Sequence, residues 1–127
     1  MLKFNPNKFN KAQRLLTPDE FQALRGTRLT VSDSNILLLA KKNESNLLYS
    51  GARLGLTISK RNVKLAVARN RIKRLSRESF RHHATQLPNL DIVLLARPGA
   101  AQLTNSELRQ CIDSLWPQLA KRAQSAV

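Results

Sequence analysis

The chain has 127 residues, the size of one domain with a modest two-layer core, and sets 22 Lys or Arg against eight Asp or Glu for a formal charge of +14. Such an imbalance says nothing about fold, but it demands an acidic partner, and nucleic acid is the first candidate. A single cysteine, Cys111, excludes an internal disulfide and any cysteine-based zinc cluster, and six aromatic residues are too few for a sheet that stacks many bases.

Residues 1–14 are rich in Asn and Lys and read as an extended N-terminal arm without the apolar run of a signal peptide. Thr17-Pro18-Asp19-Glu20 then forms a capping box, with Pro18 at the first helical position, and predicts a short helix ending near Arg25-Gly26. Strands are expected over Arg28–Val31, Asn35–Lys41 and Arg53–Ser59, the second apolar on both faces and therefore central. Lys60-Arg61-Asn62 is a basic connector into a helix over Val63–Arg81. Asp91–Arg97 is a further doubly buried strand. A last helix starts at Thr104 or Asn105, with Thr104 and Glu107 placed for a second capping box and Pro117 expected to kink or split it. Helices packed on one small sheet give a single two-layer α/β (α+β) sandwich spanning 1–127. The longest apolar runs, Ile36–Ala40 and Ile92–Ala96, are far too short to span a bilayer, so a soluble cytoplasmic protein with no membrane partner is expected.

The Val63–Arg81 segment is the most informative. It carries seven Lys or Arg among nineteen residues and one carboxylate, Glu78. Leu65, Ala68, Ile72, Leu75 and Ser79 recur at helical spacing and predict a docking stripe. Asn70, Lys73, Arg74, Arg77 and Arg81 fan across the opposite side, and Arg69 and Arg71 flank the stripe. A solvated helix face ordinarily mixes both signs. One that is almost wholly positive repels itself unless a polyanion sits against it. Cations this dense suit the closely spaced phosphates of a folded RNA better than the selective reading of DNA bases.

No catalytic constellation can be assembled. The eight carboxylates form no metal-holding cluster, and Glu78 reads as a helix-surface ion pair near Arg74 and Arg81. His82 and His83 point in different directions on a helix. Cys111 reads as a small core residue and Trp116 as core or edge packing, and no glycine-rich phosphate loop occurs. Phe21 is either an anchor of the first helix or a platform for a nucleotide base.

Arg69-Asn70-Arg71-Ile72-Lys73-Arg74-Leu75-Ser76-Arg77-Glu78-Ser79-Phe80, together with Ala66 and the block Arg53–Arg61, closely resembles the protein subunit of bacterial ribonuclease P, whose signature is an Arg-Asn-Arg helix. Arg14–Pro18 with Phe21 resembles that family's first helix, and Asp91–Arg97 its last strand. The resemblance implies an αβββαβα order and a small mixed sheet. It also implies a left-handed β-α-β crossover, against the right-handed rule that holds in roughly 98% of cases.

It further implies that an RNA subunit carries the active site and its Mg2+ ions and removes the 5′ leader of precursor tRNA. The protein itself would then supply no catalytic or metal-binding residue and need no protein partner. By position, Lys60, Arg61, Arg69, Asn70, Arg71, Lys73, Arg74 and Arg77 would contact the RNA subunit, and Phe21, Arg53, Thr57 and Lys60 would line the leader-binding cleft. The chain departs from some relatives in having Arg25 where a second aromatic would stand, leucines at 37–39 on the first long strand, and Ser76 beside the docking stripe. A leader cleft with so few aromatics would rely more on charge than on stacking. A ribosomal or ribosome-assembly protein would explain the charge and size but not the Arg53–Phe80 block, and a protein-only nuclease would require chemistry that the carboxylates do not offer.

Overall fold

A computed structural model describes residues 29–42 and 51–125; the expected N-terminal arm, first helix and Phe21 lie outside them. Four strands form one sheet: β1 (Leu29–Ser32), β2 (Ile36–Lys42), β3 (Arg53–Thr57) and β4 (Leu90–Ala96). Helix α1 (Ala66–His83) connects β3 to β4, and α2 (Asn105–Ser125) follows β4 through a 3-10 turn at Pro98–Gln102. The spatial order is β1-β2-β4-β3. β4 pairs antiparallel with β2, from Ile36 opposite Ala96 to Lys42 opposite Leu90, and parallel with β3, from Arg53 opposite Asp91 to Thr57 opposite Leu95. Both runs expected to be central, 35–41 and 91–97, do have a strand on each side.

Local chemistry sets the turns. Between β1 and β2, Asp33 Oδ1 accepts the N–H groups of Asn35 (2.7 Å) and Ile36 (2.8 Å), a side-chain turn typical of aspartate. Gly51, with φ at 134°, makes the bend before β3 in a backbone region that side-chain-bearing residues avoid. Gly99 lies so close to Asn35 that a Cβ there would meet its Oδ1 at 2.5 Å.

The period-2 pattern sorts the sheet into two faces. Ile36, Leu38 and Ala40 of β2, Leu54 of β3, and Leu90, Ile92, Leu94 and Ala96 of β4 are buried in the core with Ile72, Leu75 and Phe80 of α1 and Leu108, Ile112, Leu115, Trp116 and Leu119 of α2. Leu37, Leu39, Val93 and Leu95 occupy the other face, with Arg53, Gly55 and Thr57 alongside in register.

The helices meet through a buried polar chain. Trp116 Nε1 donates to Ser79 Oγ (2.8 Å), whose hydroxyl donates to Asp113; Arg109 Nε holds the same carboxylate at 2.9 Å. The Trp116 ring packs edge-on against Phe80, with centroids 5.5 Å apart. The expected capping box at the start of α2 forms: Thr104 N donates to Glu107 Oε1 (2.9 Å) and Glu107 N to Thr104 Oγ1 (3.1 Å).

Several expectations need correction. Leu65 is not on the docking stripe. It is the N-cap residue and is 71% exposed, because α1 begins only at Ala66 and its phase applies from there. Ser76 and Phe80 join Ile72, Leu75 and Ser79 as the buried positions. Ser76 meets its hydrogen-bonding need by donating to the Ile72 carbonyl at 2.7 Å. α1 also runs past Arg81 to His83, whose Nδ1 lies 2.7 Å from the Ser79 carbonyl and must carry the hydrogen there. Pro117 does not split α2: it sits on the solvent side while Leu115, Trp116 and Leu119 hold both halves to the core. Glu78 reaches across to α2, 3.8 Å from Arg109. Cys111 is only half-buried and lies against the β1–β2 turn, where burial and Asp33 push its thiol above the ordinary 9.0.

Candidate nucleic-acid interface

The basic connector is a wired turn. Asn62 Nδ2 donates to the Ala96 carbonyl at the end of β4 (2.9 Å), and its backbone N–H meets Ser59 Oγ (3.2 Å). Val63 N donates to the Ser59 carbonyl (2.9 Å), and the Val63 side chain is buried. With both ends tied, Lys60, Arg61 and Lys64 point into solvent at the C-terminal end of the parallel β3–β4 pair. Arg97, following Ala96, is exposed at that same end.

The entrance to α1 is bare of negative charge. Its first turn contains no acid, and Leu65 supplies no side-chain cap, so the positive end of the helix adds to the cations around it. Val67, 79% exposed, lies within this cationic surface, as Leu65 does.

The signature cations divide into two groups. Arg69 Nη1 turns back to the carbonyls of Val63 (3.0 Å) and Lys64 (2.8 Å), satisfying the loop that leads into its own helix. Arg71 reaches sideways: Nη1 donates to Asn105 Oδ1 (2.8 Å) and Nη2 to the Ala101 carbonyl (3.3 Å). By contrast, Lys60, Arg61, Lys73 and Arg74 engage no hydrogen bond or ion pair among the described residues. Asn70, Arg74 and Arg77 are exposed on the outward side of α1.

Of the expected leader-cleft residues, Arg53 and Thr57 fall at the other face of the sheet, Lys60 lies in the connector, and Phe21 lies outside the described residues. Arg53 forms a two-pronged pair with Asp91, Nε to Oδ1 at 2.8 Å and Nη2 to Oδ2 at 2.7 Å, which fastens the two parallel strands at their starts. Thr57 is exposed at the end of β3, three residues before Lys60. The leucines at 37 and 39 lie on this face and Leu38 lies in the core, so only alternate members of that run are available to a ligand. Sequence reasoning missed Asn62, Asn105 and Arg97. The first two are signalled only by partners about 34 residues away. Arg97 could have been found from its place just after a strand.

Among the described residues no group of three or more His, Cys, Asp or Glu gathers in a way that could hold a metal ion, and no helix is long and apolar enough to cross a membrane.

A sequence model of the family described as Ribonuclease P matches residues 9–120. The chain is 42% identical over 120 residues to the "Ribonuclease P protein component" of Pseudoalteromonas atlantica, covering 94% of this chain and 97% of that protein. It is 46% identical over 114 residues to the protein component from Pseudomonas aeruginosa, covering 89% and 82%. Among solved structures, the RNase P protein of Staphylococcus aureus superimposes with a TM-score of 0.73 at 28% identity, over 87% of this chain and 97% of that one. That of Thermotoga maritima shares the fold, with a TM-score of 0.69 at 22% identity over 83% and 96%. The four-stranded sheet with its two helices is thus a shared fold, and the chain belongs to the ribonuclease P protein family, whose place is in tRNA processing.

Proposed function

We propose that the chain binds the RNA subunit of ribonuclease P through α1 and the Lys60-Arg61 connector, and binds the single-stranded 5′ leader of precursor tRNA along the opposite face of the sheet. The observation that carries this reading is the set of cations on α1 and its connector, Lys60, Arg61, Lys73 and Arg74, that no side chain or carbonyl among the described residues engages. Unneutralised cations held on a tied-down frame are what a phosphate backbone requires. In this reading Asn70 and Arg77 lie within the same RNA contact, close to the metal-bearing core of the RNA, with Arg69 and Arg71 beside it on the same helix.

The leader would run past Thr57 toward Lys60, over the leucines at 37 and 39. Arg53 enters that face already paired with Asp91, so it furnishes a neutralised floor. Phe21 would add a stacking platform. Hydrolysis of the phosphodiester would belong to the RNA and its Mg2+ ions. The protein's residues would hold the two RNAs in register and lower the magnesium concentration needed.

The deciding experiment adds purified protein to the RNA subunit and precursor tRNA at low magnesium and physiological salt. Leader removal should be enhanced over RNA alone, and protein alone should cleave nothing. No enhancement would sink the assignment and leave the ribosome-associated reading; cleavage by the protein alone would point to a protein nuclease.

A further inference from the structure

Resting on that functional reading, we propose that Arg71 is a positioning residue rather than a phosphate contact, and that Asn105 on α2 is its counterpart: the pair fixes the angle at which α1 presents its open cations to RNA. Arg69 does the same work at the helix start.

The geometry separates these arginines from their neighbours. Arg71 spends both terminal nitrogens on acceptors outside α1, Asn105 Oδ1 at 2.8 Å and the Ala101 carbonyl at 3.3 Å. Those acceptors belong to the first residue of α2 and to the 3-10 turn before it, so one planar guanidinium spans two elements. Arg69 likewise gathers two carbonyls of the connector. Two of the five N–H groups of Arg71 are committed in this way and fix the plane of its guanidinium, so meeting a phosphate with that edge would cost it both acceptors. Arg74, one turn later, gives up nothing, since it has no partner among the described residues.

Asn105 is not needed to start α2, because Thr104 and Glu107 cap that helix between themselves. Its side chain is therefore available for the bond to Arg71. A cation array held rigid before RNA arrives loses less freedom on binding, so a loosened strut should weaken affinity without any phosphate contact being removed.

The slope of log affinity against log salt separates the two roles, because it counts phosphates neutralised, at about 0.7–0.9 per contact. The test titrates the full-length protein against the RNA subunit over a range of salt. Arg74→Ala should reduce the slope by about one contact's worth, roughly 0.7–0.9. Arg71→Ala should weaken binding while changing the slope by less than half of that. Asn105→Ala, which alters no charge, should weaken binding roughly five- to tenfold, the scale of one ordinary hydrogen bond, because the pair is exposed, with the slope unchanged. Asn105→Asp keeps an acceptor at the same position and should restore affinity; because an acid there also favours the start of α2, the two causes are separated by adding Asn105→Ala to Arg71→Ala, where a lost strut costs nothing further and a harmed helix start costs as much as in the parent.

The proposal is overturned if Arg71→Ala lowers the slope as much as Arg74→Ala, if Asn105→Ala binds as tightly as the parent, or if Asn105→Asp fails to rescue. A parent protein that does not bind the RNA subunit at all would instead overturn the functional reading beneath it.

Discussion

Replacing Ser79 with alanine tests what clamps the cationic helix to the body of the protein. Ser79 is completely buried, accepts from the Trp116 indole at 2.8 Å and donates to Asp113. In Ser79→Ala the indole N–H keeps its burial and loses its acceptor, which costs about 1–3 kcal/mol. Asp113 is not orphaned, because Arg109 still holds it at 2.9 Å. The alanine returns a few tenths of a kcal/mol through its higher helix propensity. The net expectation is a loss of about 2 kcal/mol, which for a domain of this size lowers the melting temperature by roughly 6–10 °C. Far-ultraviolet circular dichroism follows unfolding in every variant, including those that lack Trp116, the sole tryptophan. The decisive comparison repeats Ser79→Ala in a Trp116→Phe background, where no indole donor is left to strand. There the cost should shrink below about 1 kcal/mol, as coupled partners require. Equal costs in the two backgrounds, or no cost in the parent, would show that the buried polar chain does not hold α1 to α2.

Three other outcomes follow from the same geometry. Lys73→Ala combined with Arg74→Ala should raise the magnesium concentration needed for leader removal by the reconstituted ribonucleoprotein, and an unchanged magnesium titration would count against placing α1 near the RNA's metals. The Glu107 carboxyl is held below its ordinary 4.5 by the Thr104 N–H and then by the Thr104 hydroxyl, so the unfolded chain takes up the proton first. That contribution to stability is complete above the ordinary value and drains as pH falls below it. Melting temperatures of the parent should therefore drop more steeply on acidification than those of Glu107→Gln; parallel curves would refute the cap's role. The Cys111 thiol, raised by burial and by Asp33, should alkylate at pH 8 more slowly than a free cysteine and match it only after unfolding. Equal rates in the folded protein would exclude that environment.

The strands and the second capping box are legible because their signals are local: alternation in Arg53–Ser59, short continuous apolar runs at Ile36–Ala40 and Ile92–Ala96, or Thr104 and Glu107 three apart. The positive side of α1 was legible because composition and helical phase both point to it. Leu65 matches the period of the stripe but precedes the first turn of α1, so spacing alone places it wrongly. Pro117 leaves α2 in one piece because Trp116 and Leu119 beside it are held in the core, contacts that a rule about one lost hydrogen bond does not contain. The roles of Arg69 and Arg71 were hidden for a deeper reason. A cation in a basic run looks solvent-facing until its acceptors are known, and the acceptors of Arg71 lie 30 and 34 residues away. Nor does any local signal insert β4 between β2 and β3.

That insertion governs when the protein becomes usable during its synthesis. β2 and β3 are bridged only through β4, whose first residue follows the end of α1 by seven positions. While a ribosome has made the chain only as far as residue 83, the arginines already exist but the strand that closes the sheet does not. The wall that α2 gives to α1 comes later still. Pairing strands across such distances is slow compared with forming a helix. A nascent chain therefore carries its positive charge without the rigid frame that spaces it, and the finished array of cations exists only once the last third has emerged.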